Sequence, residues 1–330
     1  MFNAKKPSDV DINTYYTMVS SILTTKINAI NPISILNPCK PFLESHLEEI
    51  VKSKPEKLLE LNEILLTLCD ISDSELELFR LNRRKKQKPL NKNVKDAVRK
   101  CKKLNNALAG IFDYDSIISS NKQNSYALAK INGTNACIYC NRQYTLTIYK
   151  KNDKSNGVTR PQFDHYFPKF LFPMLGLSYY NLIPSCYICN SPSFKGEKLM
   201  LPETHLHPYI DEKNIEFTFV YKYDQAQDNF EINISNPAAN DKITKTFEDF
   251  RTQELYQSHA NMELRDLHNL KYKYPTTHTN VLVGLFNSNE LDRNKIYQIL
   301  FGIETNPKIF YNRPFSKFKF DILEQLRTEI

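Results

Sequence analysis

The sequence predicts an α+β fold, a mainly helical chain enclosing a small strand-bearing core. Three observations lead there. Apolar residues recur at helical spacing on both sides of a central segment, over residues 43–111 and again beyond Lys242. Between them, residues 144–149 and 158–163 are β-favouring runs joined by a polar turn. Two Cys-x-x-Cys pairs bracket that central part.

Taken in order, residues 1–130 form a helical N-terminal region. Leu43, Leu47, Ile50, Leu58, Leu61, Leu65 and Leu68 fall at near-helical spacing. The pattern is interrupted at Pro55, whose ring and missing N–H break a helix. A second amphipathic stretch, residues 94–111, sets Val98, Leu104, Leu108 and Ile111 on one side. Pro89 and the sequence PLNKN separate the two as a linker. The middle region, 131–210, opens with the strand YTLTIY, turns through KKNDKSNG to Gly157, and returns through residues 158–163. The proline-punctuated FPKFLFPMLGLS and then NLIPSCYICN follow. The last region, 211–330, holds a second hairpin over residues 215–223 and 230–234. Helices follow, marked by Phe247, Phe250, Leu255 and Tyr256, then by Leu264, Leu267 and Leu270. There is no internal repeat.

With 330 residues, 41% of them hydrophobic and 25% charged, the chain is large enough for its own core and too apolar for wholesale disorder. No apolar run approaches the ~18 residues of a membrane span. The opening MFNAKKPSDVD lacks the apolar stretch of a secretory signal, so a cytoplasmic protein with no membrane attachment is expected. Glycine excludes more. The seven glycines, at 110, 133, 157, 176, 196, 284 and 302, are never closer than 18 positions. A P-loop needs two glycines five apart, and a dinucleotide fingerprint needs them two and three apart. Neither is present, so control by ATP through such a loop would need another chain.

The net charge of +7 conceals a polarity. Residues 80–103 carry twelve Lys/Arg against Asp96 alone, densest at Arg83, Arg84, Lys85 and Lys86, whereas residues 44–77 carry ten acids and three lysines. Such a basic block is either a solvated face or arm, or a phosphate-binding segment whose contacts release counterions.

Of seven cysteines, Cys39, Cys69 and Cys101 stand alone, while Cys137/Cys140 and Cys186/Cys189 form pairs separated by 46 positions. An odd total in a cytosolic chain speaks against a disulfide framework. A redox role lacks the thioredoxin-like strand–helix context, and buried unligated thiols are the remaining bland reading. Each CxxC turn aims two sulfurs at one point, which predicts a tetrahedral four-thiolate zinc site. With no open coordination position, that zinc would be structural.

Asp164-His165 ends the second hairpin strand, Asn181 opens NLIPSC, and Asn190 and Lys195 follow in CYICNSPSFKGEK. In this order and inside a double CxxC frame, these residues resemble the HNH (ββα-metal) endonuclease family in its zinc-supported form, over roughly residues 135–200. The loop 166–180 is more apolar and Phe/Pro-rich than the family's glycine-containing one, and the gap from Asn190 to Lys195 is longer.

The resemblance implies a chemistry for each residue. His165, with an ordinary pKa of about 6.5, takes the proton of the attacking water. Asp164 and the Asn190 amide oxygen hold a catalytic Mg²⁺ or Mn²⁺ against the scissile phosphate as a Lewis acid. Asn181 fixes the loop and the histidine through hydrogen bonds. Lys195 joins Arg83, Arg84, Lys85 and Lys86 as nucleic-acid contacts. His205 and His207 are read as core or solvent histidines, and His46, His259, His268 and His278 as structural. Tyr166, Phe167, Phe170, Phe172, Tyr179 and Tyr180 are expected to form a local core rather than stack on bases.

The expected function is a metal-dependent endonuclease that cleaves or nicks DNA, leaving 5′-phosphate and 3′-hydroxyl ends as the resemblance implies. The layout also resembles nuclease subunits of bacterial antiphage systems that work with an ATPase, as in Septu-type pairs. Double-strand cutting would call for a homo-oligomer. Two competing readings are a noncatalytic zinc-ribbon module binding nucleic acid or protein, and an HNH nuclease acting on RNA.

Overall fold

A side-chain cap opens the first helix. Ser8 Oγ accepts from the Asp11 N–H at 3.1 Å while the Asp11 carboxylate accepts from the Ser8 N–H at 3.0 Å, and this capping box starts α1 (Asp9–Asn28). The computed structural model describes residues 2–84, 91–151, 153–211, 217–273, 281 and 293–328. The helical stretch expected over residues 43–68 is divided into α2 (Lys40–Ser45), α3 (Leu47–Lys52) and α4 (Pro55–Leu68). Pro55 takes the first position of α4, where a missing N–H costs nothing. A second capping box, Ser72 with Glu75, opens α5 (Asp73–Asn82). Asn91 caps α6 (Lys92–Ile111), which contains the predicted 94–111 stretch. α7 (Lys122–Asn132) stops at Gly133, whose φ of 64° is left-handed. The linker proline Pro89, with Lys85 and Lys86, lies outside the described residues.

The central strands pair differently from the expected single hairpin. β1 (Ile148–Lys150) runs antiparallel to β2 (Asp153–Thr159), and that ladder ends before Arg160-Pro161. Proline has no N–H to continue it. β3 (Gln162–His165) instead pairs with β4 (Leu182–Ser185), with Gln162 opposite Ser185 and His165 opposite Leu182. Asp164-His165 therefore ends a strand of a second antiparallel pair, whose connection is the loop 166–181. The short helix α8 (Tyr187–Asn190) follows β4 directly. The expected strand start at Tyr144 makes only an isolated bridge to Ala136.

The C-terminal hairpin, β5 (Thr218–Asp224) with β6 (Asn229–Ser235), keeps one register throughout. Helices α9 (Asp241–Asp249), α10 (Thr252–Gln257), α11 (Arg265–Lys273), α12 (Arg293–Phe301) and α13 (Ser316–Thr328) complete the fold, which is α+β with small antiparallel strand pairs.

One hydrophobic cluster runs from Phe2 to Leu326 and holds the 166–181 loop in its midst. Tyr166, Phe167, Phe172, Tyr179 and Tyr180 are buried and Phe170 packs against them half-buried, so the loop aromatics are core. The N-terminal helices grip the same loop: Tyr15 Oη donates to the Leu177 carbonyl at 3.0 Å and Ser178 Oγ to that of Ile50 at 2.5 Å. Among the described residues, no helix is long and apolar enough to cross a membrane.

Candidate metal centre and adjoining cavity

Two turns bring the paired cysteines together. After Cys140 the chain reverses through Asn141, at a left-handed φ of 48° that asparagine tolerates better than most residues. The Asn141 N–H donates to the Cys137 carbonyl at 2.7 Å, and the Cys137 N–H to that of Gln143 at 2.9 Å. In the second turn Cys186 caps α8, its Sγ accepting from the Cys189 N–H at 3.5 Å. All four thiols are buried and their sulfurs lie within 4.8 Å of one another, with Cys140 and Cys186 at 4.0 Å. Tetrahedral zinc bonded at about 2.3 Å separates its sulfurs by about 3.8 Å, so the cluster can bind a metal such as zinc. The thiols share hydrogen bonds, those with Cys137 above all, that hold Cys140 and Cys186 below the usual range, while burial pushes Cys137 up and its hydrogen bonding pushes Cys189 up.

The cluster reaches the Asp-His pair through Tyr139, which stands between the first two cysteines. Its hydroxyl donates to Asp164 Oδ2 at 2.6 Å, and its ring stacks on Phe250 at 4.4 Å. Lys195 approaches the same oxygen at 3.3 Å and also donates to the His165 carbonyl. Lys195 and Asp164 are buried together, and burial raises the Asp164 pKa against the opposing pull of Lys195. The lysine expected to meet phosphate is thus committed to the interior as a counter-ion. The His165 backbone N–H is a further donor to the Asp164 carboxylate.

Burial drives the His165 pKa down to about 3, so its imidazole is neutral. Its Nε2 lies 2.9 Å from the Gly176 carbonyl. A carbonyl only accepts, so Nε2 carries the proton and Nδ1 is left a lone-pair acceptor. Tyr114 meets the imidazole edge-on at 4.6 Å. Asn181 is fully buried and ties the loop: Oδ1 accepts from the Phe167 N–H at 2.6 Å, and Nδ2 donates to the Leu175 and Phe167 carbonyls at 2.8 and 3.3 Å. It makes no hydrogen bond to His165. Its hold on Leu175 instead fixes the neighbouring Gly176 carbonyl that receives the histidine. Asn190 donates through Nδ2 to Gln162 Oε1 at 2.9 Å, which leaves its amide oxygen without a partner among the described residues.

Asp164, His165, Asn190 and Lys195 line one cavity of about 540 Å³; Asn181 is not among its lining residues. Arg160, Gln162, Lys169, Tyr114 and Glu197 also line it and were not singled out by the sequence pattern. Arg160 and Gln162 precede Asp164-His165 by a few positions, and the motif spacing carried no information about either. Arg83 and Arg84, from the basic segment, both pair with Glu197 at this cavity, and the Arg83 guanidinium lies 3.5 Å from the Phe170 ring centre. Lys169 pairs with Asp115 at 2.9 Å.

The other histidines have internal partners. His205 Nε2 meets Asp249 at 3.0 Å, and His207 Nε2 meets the Tyr180 carbonyl at 3.0 Å. His46 stacks on Phe42, His259 meets Arg142 at 2.7 Å, and His268 packs against Phe230. His278 lies outside the described residues. Among the described residues, the four cysteines are the only group of three or more His, Cys, Asp or Glu side chains close enough to share an ion.

Comparison with known protein families, characterised proteins and solved structures returned no match to this chain.

Proposed function

We propose that the chain is a metal-dependent endonuclease of the HNH type, hydrolysing DNA phosphodiester bonds. The observation that carries this reading is the convergence of Asp164, His165 and Asn190 on one cavity beside the four-cysteine cluster. They come from the end of β3 and from the helix that follows β4, a strand–loop–strand–helix order in keeping with a ββα unit.

The donors fit the chemistry. The Asp164 carboxylate and the Asn190 amide oxygen are hard oxygen donors that would hold Mg²⁺ or Mn²⁺. Such an ion supplies Lewis-acid polarisation of the phosphate. Everything else falls to the chain's own groups. Neutral His165, steered by its Nε2–H bond to Gly176, presents Nδ1 to an attacking water; burial leaves it a weak base in the free chain, so the negative charge of a bound phosphate must raise its pKa for it to take the proton. Tyr139 and Lys195 fix the carboxylate from behind. The cysteine cluster, holding zinc, clamps Tyr139 and α8 and so sets the distance between Asp164 and Asn190. The seven scattered glycines support placing any ATP-dependent control on a separate ATPase chain, as in an antiphage effector pair.

A second reading has one observation in its favour. Lys195 already neutralises Asp164, so a divalent ion gains less there than from an unpaired carboxylate, as a noncatalytic zinc module would allow. Supercoiled plasmid and structured RNA incubated with Mg²⁺ or Mn²⁺ separate the readings. The wild-type chain is expected to nick or cut DNA, and His165→Ala to lose at least about 100-fold in rate, the usual scale of a general base. Equal cleavage by both proteins at equal zinc content would overturn the mechanism, and cleavage of RNA alone would change the substrate.

A further inference from the structure

A second cavity, of about 400 Å³, adjoins the first, and Arg160 and Gln162 line both. Its outer wall is apolar where a folded chain normally hides such groups. Tyr144, Leu146 and Ile148 alternate along one face of an extended segment at 61%, 39% and 45% exposure, while Thr145 between them is buried. The period-2 pattern of YTLTIY is thus turned outward, with Tyr144, Leu146 and Ile148 to solvent and Thr145 inward. Opposite stands Tyr187, at the start of α8, 74% exposed. Among the described residues neither Tyr144 nor Tyr187 stacks on another ring or hydrogen-bonds through its hydroxyl.

Both tyrosines have anchored backbones. Tyr144 is bridged to Ala136, the residue before Cys137, and Tyr187 lies between Cys186 and Cys189. The cysteine cluster therefore holds one ring through each of its pairs. An aromatic ring on a fixed backbone loses little conformational freedom when a flat ligand settles on it. Between the two cavities, the Arg160 guanidinium donates to the carbonyls of Pro161 at 2.8 Å and Ser119 at 3.2 Å. It has no carboxylate partner among the described residues, so the cation is held by neutral carbonyls alone there.

We infer that the second cavity is a nucleobase subsite. Tyr144 and Tyr187 receive an unpaired base next to the phosphate held at Asp164 and His165, and Arg160 contacts a backbone phosphate between the two cavities. The inference rests on the nuclease reading above. A nucleotide offers what both parts of the surface require, a π-face for the rings and an anion for the guanidinium. A protein partner would cover the apolar wall and leave the inner cation unused. A base inside a duplex is already stacked on its neighbours, so the subsite favours single-stranded, frayed or mismatched nucleic acid at the cut.

The test uses the full chain carrying His165→Ala, so that binding is measured without cleavage, with wild-type cleavage measured in parallel. Oligonucleotides containing 2-aminopurine, single-stranded or fully paired, serve as probes. The single strand is expected to bind more tightly than the duplex and to show quenching at one position. Tyr144→Ala and Tyr187→Ala should each weaken that binding about tenfold, and an abasic site at the quenched position should remove the difference. Tyr→Phe at either position should retain affinity, because the stacking face is kept; loss in the phenylalanine variants overturns stacking. If wild type cleaves nucleic acid while the double alanine variant binds and quenches like its parent, the subsite is wrong and the nuclease reading stands. If wild type neither binds nor cleaves any probe, the nuclease reading fails and the subsite with it. Both rings are solvent-exposed, so the substitutions should leave the melting temperature unchanged, and melting curves check this.

Discussion

Lys195 and Asp164 confine a cation and an anion together, with side chains 1% and 6% exposed and 3.3 Å apart. Solvent screens such a pair little, and removing one partner leaves the other buried without its counter-charge. Lys195→Met is therefore expected to cost about 3–5 kcal/mol of stability, read as a fall in the urea midpoint. Adding Asp164→Asn should recover a substantial part of that loss, because the amide oxygen still accepts from Tyr139 while the orphaned charge is gone. A loss under about 1 kcal/mol for Lys195→Met would show that the buried pair does not support the fold. This role was not legible in the sequence, where a lysine six positions beyond Cys189 reads as a solvent or phosphate contact. Tyr139 was hidden for a similar reason, since a residue inside a CxxC turn has no preferred partner until the partner strand is known. Asp164, His165 and Asn190 were legible because their types and order matched a chemical motif. Gly176 belongs with the hidden residues. A Cβ there would stand 2.9 Å from the Phe112 carbonyl oxygen, so only glycine lets the loop place its own carbonyl against His165.

The β3–β4–α8 unit is too small to persist by its own hydrogen bonds. Four-residue strands in a two-stranded pair and a single helical turn are marginal in water. Two supports hold it: the aromatic loop 166–181, sunk into the main core, and the four-cysteine cluster. The purified chain is accordingly expected to carry one zinc, and Cys137→Ser or Cys186→Ser should lose the metal together with near-UV circular dichroism from the packed tyrosines. A cysteine variant that stays metal-free with native dichroism and melting temperature would refute the clamp. At this scale the sequence was readable where an element answers to local chemistry. The β5–β6 hairpin follows from its β-favouring runs, and α6 from its amphipathic pattern and Asn91 cap. It was unreadable where pairing is non-local. Residues 158–163 look like one return strand, yet Pro161 ends the first ladder and β3 takes β4 as its partner across the whole 166–181 loop. The segment before β1 misleads in another way, because its alternation is real but its apolar face points outward.

Across the whole molecule the formal +7 resolves into a basic segment set against a mildly acidic remainder. The fold carries the start of that segment to the candidate site. Arg83, at the end of α5, lies over Phe170 of the cavity wall, and it and Arg84 share the single carboxylate of Glu197. Further along, the exposed side of α6 presents Lys92, Lys95, Arg99 and Lys102 at helical spacing, with Asp96 as the acid among them. If nucleic acid enters the cavity, its phosphates compete with Glu197 for two guanidinium groups, and each phosphate neutralised adds about 0.9 to the slope of log affinity against log salt on duplex DNA. Opposite charge changes then have opposite effects. In a His165→Ala background, Arg83→Glu with Arg84→Glu should weaken duplex binding and flatten the slope by about 2, whereas Glu197→Gln should strengthen binding and leave the slope as steep or steeper. A solvated basic face with no role in binding predicts no change in slope for either protein. Weaker binding on both sides would instead mean that the Arg83–Glu197 contact holds the cavity wall in place, which a fall in melting temperature for Glu197→Gln would register independently.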